Sequence, residues 1–168
     1  VLPIYSDDLS IGNTINISKF HSVSDNLILS GKWFFKSVNS IDDDVRVSRR
    51  VYIPSSKLRG FETGKIGPKD GDEYVGGNFG SALNLNSTLP NIFSGYENID
   101  VSLFFDAATL REVDYDSSLE SSKIRSSTGV SVNWFTVIGP LSFSYAIPIS
   151  SEPSDKKESF RFRIGTSF

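Results

Sequence analysis

The sequence predicts an all-β chain: an antiparallel transmembrane β-barrel of about eight strands with a lipid-facing exterior. Three observations predict it. Apolar and polar residues alternate with a period of two along most of the chain, whereas a helical 3.6-residue repeat is hard to find over any dozen residues. The alternating runs have about the length of a tilted membrane strand. The connections between them switch between short and long, as in outer-membrane barrels, whose periplasmic turns are short and outer loops long.

Taken in order, the period-two runs are 9–20, 26–37, 45–53, 78–89, 99–110, 124–135, 141–149 and 159–168. In the third, Val45, Val47 and Val51 share a face with Arg49, so Arg49 is expected near the outer rim, where an arginine facing lipid costs little. The fifth sets Val101, Leu103, Phe105 and Ala107 against Ser102, Phe104 and Asp106. In the seventh, Leu141, Phe143, Tyr145, Ile147 and Ile149 oppose Ser142, Ser144 and Ala146, a wet face with too little charge for an ordinary sandwich. The last puts Phe160, Phe162, Ile164, Thr166 and Phe168 on an apolar row and Arg161, Arg163, Gly165 and Ser167 on a polar one. Loop parity places Phe168 on the periplasmic side and the longest connection, 54–77, outside.

Length and composition agree with one domain. The 168 residues are 38% hydrophobic and 22% charged, within the globular range, which by itself separates no sandwich from a barrel. A net charge of −3 with scattered Lys and Arg gives no nucleic-acid footprint. The chain has no cysteine, hence no disulfide and no thiolate metal site. It has no run approaching a transmembrane helix and no signal-peptide pattern. Starting at Val1 and lacking methionine, it reads as a fragment or processed product.

The 54–77 connection contains "KLRGFETGKIGPKDGDEYVGGN". Its glycines permit tight turns with positive φ, and Arg59 and Lys65 are candidates to reach an acidic partner. A connection this long is functional more often than idle. An eight-stranded closed barrel is filled by its own side chains, so a loop of this length folding inside asks for a wider one.

Arg59-Gly60-Phe61, then "IGPKD" at 66–70 and "YVGGN" at 74–78, resembles the conserved loop of the BamA-type outer-membrane assembly barrels, the bacterial surface antigen family. The resemblance continues in order through "SLFFDAAT" (102–109), "SSTGVSVNW" (126–134), "IGPLSFSYAIPI" (138–149) and "FRFRIGTSF" (160–168). It implies that the whole chain, 1–168, is the C-terminal half of a sixteen-stranded barrel whose N-terminal strands and periplasmic POTRA domains are absent. Both end strands would then be unpaired edges.

The resemblance further implies a loop folded into the lumen, with Arg59, Gly60 and Phe61 as its motif and Asp106 as the acidic partner of Arg59. Alternation independently puts Asp106 on the wet face. Departures are Asn86, where relatives usually carry a second acid, Ala108 in place of Gly, and Val137 in place of Pro. Phe160, Phe162, Gly165 and Phe168 belong to the last strand, which in the family meets the first in a weak seam; Gly165 either bends that strand or relieves crowding. A terminal Phe is also the general mark of outer-membrane barrels. The implied partners are outer-membrane lipid, nascent outer-membrane β-barrel proteins and, through the missing periplasmic part, assembly-complex lipoproteins; nucleic acid is not among them.

No catalytic residue, metal site or cofactor is expected. His21, the single histidine, reads as a loop residue without nucleophile or ligand spacing. The acidic clusters at 42–44 and 70–73 lack the spacing of a calcium loop and read as solvated turns, and Lys65 is outside any phosphate-loop order. The favoured function is non-enzymatic folding and insertion of barrel proteins into the bacterial outer membrane, where the chain would be integral. The alternatives are a sister translocation barrel of the autotransporter-assembly or two-partner-secretion type, and a small structural eight-stranded barrel.

Overall fold

Alternation sorts the side chains of each strand onto two faces, and the sheet built from them is greasy on its convex side and polar on its concave one. The computed structural model describes residues 10–165 apart from 42–43, 91, 94, 96–97, 120, 122 and 138. Its strands are β1 (Ser10–Ser24), β2 (Leu27–Ser40), β3 (Gly60–Phe61), β4 (Lys69–Asp70), β5 (Glu73–Tyr74), β6 (Phe79–Pro90), β7 (Ile99–Arg111), β8 (Arg125–Thr136), β9 (Gly139–Ser150), β10 (Lys157–Glu158) and β11 (Phe160–Ile164). Seven of them form one antiparallel sheet in the order β1-β2-β6-β7-β8-β9-β11. Among the described residues β1 and β11 are its edges, and the sheet is a barrel wall rather than a closed barrel.

The convex face exposes Ile15, Ile17, Leu83, Leu85, Leu103, Phe105, Ile147 and Ile149. The concave face buries Asn84, Ser102, Phe104, Asp106, Ser127, Ser131 and Ala146. At the outer end of the convex face Trp33, Phe35 and Phe79 form an aromatic cluster, with centroids 6.1 and 5.0 Å apart. Such clusters suit the membrane interface.

One expected strand does not form. Residues 45–53 contain a 3-10 turn at Val47–Arg49 and a single bridge from Val51 to Gly77, so about eight strands become seven. The reason lies in where the apolar side chains go: Val45, Val51 and Ile53 are buried on the concave side while Val47 is exposed, which no two-faced strand would allow. β2 therefore pairs directly with β6, Phe34 opposite Ala82. The Asp25–Asn26 turn consequently lies at the same end as the 91–98 connection and the turn between β8 and β9, the reverse of the orientation the extra strand would have imposed. Arg49 faces no lipid from a strand; its Nη1 donates to Ser10 Oγ at 3.0 Å, at the outer end of β1. β1 also runs past residue 20, which places His21 within a strand, opposite Leu29, and not in a loop.

The hydrophobic core is the underside of the long loop. Val45, Val51, Ile53, Leu58, Phe61 and Ile66 pack on Phe34 and Val38 of β2, Ala82 of β6, and Ala108 and Leu110 of β7. The loop thus buries its apolar residues against the outer half of the wall, inside the concavity, because that is where apolar surface can leave water.

Candidate functional site: the lumen loop and its anchors

The loop enters the concavity through the turn after Pro54, where the Lys57 amide donates to the Pro54 carbonyl at 2.8 Å. That turn aims Arg59 at the middle of β7. The Asp106 carboxylate there is fully buried. Its Oδ2 accepts the Arg59 backbone amide at 3.1 Å and Arg59 Nε at 2.7 Å; its Oδ1 accepts Arg59 Nη2 at 2.7 Å and Asn84 Nδ2 at 2.8 Å. All four acceptor positions of the carboxylate are filled, which is what a buried anion requires. The guanidinium lies 3.5 Å from the centre of the Phe104 ring, a cation–π seat that only a planar cation fits well.

Asn86 takes the place of a second acid. Its Oδ1 accepts Arg59 Nη2 at 2.8 Å. Asn84 braces the site from both sides, because its Nδ2 also donates to the Lys57 carbonyl at 2.9 Å. Burial, and then the neighbouring Lys32, lower the pKa of Lys57, whose ammonium lies 5.3 Å from the Phe34 ring. Gly60 has φ +90°, and a Cβ there would meet Ala146 at 3.2 Å and Ser127 at 3.3 Å, so the backbone lies against the wall only as glycine. Phe61 turns into the core, 1% exposed. Gly129 clears space for Phe104: a Cβ there would stand 2.8 Å from the ring.

A second anchor, which sequence reasoning missed, holds the "IGPKD" end. Arg125, at the start of β8, is fully buried. Its Nε reaches Asp155 Oδ2 at 3.1 Å, its Nη2 Glu152 Oε2 at 2.5 Å, and its Nη1 donates to the Lys123 carbonyl at 3.1 Å. Asp155 Oδ1 in turn accepts the Gly67 amide at 3.4 Å. Around it the Glu62 amide donates to Lys156 and the Lys156 amide to Lys65, both at 3.0 Å, and β3 pairs with β10. The Tyr74 hydroxyl donates to the Ser154 carbonyl. The Lys65 ammonium lies 5.3 Å from the Tyr74 ring. The available signal was an arginine on the wet parity of β8, in step with Ser127 and Ser131.

At the outer rim Arg50 donates to Asp114, which also accepts the Val45 amide and Asn78 Nδ2, each at 2.8 Å. Burial works against the Asp114 carboxylate, but the Val45 amide, Asn78 and Arg50 together outweigh it and hold its pKa below the ordinary 3.8. In the last strand, Phe160, Phe162 and Ile164 are exposed on the convex face and pair with Tyr145, Phe143 and Leu141. Arg161 points inward and donates to Glu158 and to the Phe61 carbonyl, the latter at 3.4 Å. β11 spans five residues against twelve in β9. Gly165 follows it at φ +114°, its amide donating to Pro140 at 3.0 Å. Phe168 lies outside the described residues, as do two of the three acids at 42–44. Of the acids at 70–73, Asp70 accepts the Tyr115 hydroxyl at 3.2 Å. Among the described residues no three His, Cys, Asp or Glu side chains converge as a metal site.

Comparison with known proteins gives a family and a fold. The Omp85 superfamily domain matches residues 3–168. The outer membrane protein assembly factor BamA of Neisseria meningitidis serogroup B (strain ATCC BAA-335 / MC58) is 30% identical over 141 residues, covering 66% of this chain and 17% of that protein. Its namesake from Nitratidesulfovibrio vulgaris is 27% identical over 169 residues, covering 96% of this chain and 21% of that protein. The crystal structure of BamA from Haemophilus ducreyi lacking POTRA domains 1–3 superposes with a TM-score of 0.85 at 28% identity, over 93% of this chain and 35% of that one. The chain spans 17% and 21% of the length of these two curated relatives.

Proposed function

This chain belongs to the Omp85 superfamily, and from that premise we propose that it is the C-terminal wall, over its whole length 1–168, of an outer-membrane barrel that folds and inserts other β-barrel proteins. It is an integral outer-membrane protein, as its relatives are. The observation that carries the assembly reading is the motif loop seated on the lumen wall, with Arg59 saturating the buried Asp106 and stacked on Phe104. In this reading the loop braces the wall while the short last strand, bearing Phe160 and Phe162 and followed by Gly165, yields its edge to a client strand. Strand addition needs only ordinary backbone hydrogen bonds, so the work is done without catalytic residue, nucleotide or cofactor. The partners are nascent outer-membrane β-barrel proteins, membrane lipid and, through periplasmic domains outside this chain, accessory lipoproteins.

Depletion of the complete protein in its own cell tests the reading, with several unrelated outer-membrane barrels followed by quantitative immunoblot. A general fall supports assembly; loss of one exported passenger alone would replace it with a translocation barrel. Within the site, Arg59→Ala should slow client assembly, and the exchange Arg59→Asp with Asp106→Arg should restore part of it. Unchanged assembly in both variants would remove the pair from the mechanism.

A further inference from the structure

The convex face carries a feature that neither alternation nor the lumen loop accounts for. Two adjacent rows of cross-strand partners run side by side across four strands: Lys19, Gly31, Leu85 and Phe105 in one, His21, Leu29, Ser87 and Leu103 in the other. The two smallest residues, Gly31 and Ser87, lie diagonally and leave a groove of about 540 Å³ between Leu29, Leu85, Leu103 and Phe105. The surface it presents is mostly apolar although Ser30, Asn86 and Ser87 contribute to the floor, and at one rim Lys19 and His21 stand on the same face as Ile15 and Ile17. Both are exposed, and among the described residues neither is paired with a carboxylate.

Its depth follows from the register. The eight residues lie two to six positions from the strand ends Ser24, Leu27, Pro90 and Ile99, all at the periplasmic end. A lysine facing lipid at that level must carry its stem along apolar surface and its ammonium toward the headgroups. The groove provides the surface for a neighbouring acyl chain, and the phosphate of the same lipid provides the counter-charge. Anionic lipid attracts basic side chains near the surface, and His21 adds a second hydrogen-bond donor.

We propose that this groove is a binding site for one anionic glycerophospholipid of the periplasmic leaflet, its acyl chain over Gly31 and its phosphate against Lys19 and His21. The site rests on the convex face lying in lipid and is independent of what the barrel does to its clients. A free phosphate is a poor alternative occupant, because most of the lining is apolar.

The complete protein, reconstituted in phosphatidylcholine nanodiscs, would be titrated with spin-labelled phosphatidylglycerol or spin-labelled phosphatidylcholine, and the motionally restricted fraction read by electron paramagnetic resonance. The proposal expects several-fold selection of phosphatidylglycerol, lost in Lys19→Ala/His21→Ala and kept in Lys19→Arg. A Cβ at Gly31 would meet only Leu85, at an ordinary 3.6 Å, so Gly31→Leu should fill the groove and displace restricted lipid without disturbing the sheet. Equal restriction of the two lipids in the parent, or selection unchanged in both the double variant and Gly31→Leu, would overturn the site. Client insertion altered by Gly31→Leu with lipid selection untouched would assign the groove to a polypeptide and overturn it as well.

Discussion

Two arginines, one part-buried and one fully buried, hold the same loop from opposite sides of the contact. Arg59 belongs to the loop and reaches an aspartate on the wall; Arg125 belongs to the wall and holds an aspartate on the 151–159 connection, which in turn holds the loop through Gly67. At the first site a single carboxylate carries the charge, helped by an amide oxygen and an aromatic ring. At the second, two carboxylates share one cation. Both Asp106 and Asp155 are completely enclosed. The difference teaches that the motif supplies only half of the seating: the Arg–Gly–Phe end is fixed to the wall directly, and the "IGPKD" end through a relay.

The sharpest way to break this comparison is Arg125→Ala. Removing the shared cation strands the enclosed Asp155 without its charge partner, while the part-exposed Glu152 can turn to water; breaking a buried pair from one side costs about 3–5 kcal/mol. Hydrogen exchange in nanodiscs should show the Gly67 and Val75 amides losing protection while Arg59 stays seated; protection lost equally at both ends would merge the two anchors into one. Asp106→Asn comes next. It removes a carboxylate but keeps one acceptor, so about 2–3 kcal/mol is expected, as for hydrogen bonds to charged groups. Trypsin should cut faster after Lys57 and Arg59, with Gly67 protection retained. Asn86→Asp goes the other way, adding the second acid and tightening the Arg59 end by about 1 kcal/mol, since charged acceptors bond more strongly than neutral ones. It should slow the same cleavage and partly rescue Asp106→Asn.

The smallest effect belongs to the rim clasp, because Asp114 is a quarter exposed. Its folded pKa is depressed, so its contribution is complete above the ordinary 3.8 and is lost as pH falls through the lower folded value. The protection factor of the Val45 amide, taken relative to the intrinsic exchange rate at each pH, should therefore fall only under strong acid in the parent and show no such acid fall in Asp114→Asn. An acid transition that survives in Asp114→Asn would place the titrating group elsewhere.

Most of the wall was legible because period-two alternation reports burial directly, and five of the strands left their lipid face apolar and their inner face small or polar. Residues 45–53 misled for a physical reason. Val45, Val47 and Val51 share a strand parity, but a loop that packs into a lumen buries Val45 and Val51 and leaves Val47 exposed, and the spacing by itself does not say whether a strand or a folded loop carries it. His21 was misplaced because β1 continues through Lys19 and His21, polar residues on its apolar face. As for the site, Asp106 stood out as a carboxylate within an apolar run. Arg125 did not, because its partners Glu152 and Asp155 sit in a connection whose path no periodicity describes. Asn84 was likewise hidden, an amide serving as a brace for a carboxylate two strands' worth of chain away.

The dry packing beneath the long loop has an electrical consequence. Val51, Ile53, Leu58, Phe61, Ile66 and Leu110 leave almost no surface to solvent, and they occupy the outer half of the concavity where a porin keeps open water. Ions moving along this wall from the periplasm meet that dry packing, so we expect the complete barrel to pass little current along this side in a planar bilayer. Current would then become a gauge of the seating itself: each weakening of an anchor should appear as brief openings whose frequency reports how often the stopper lifts.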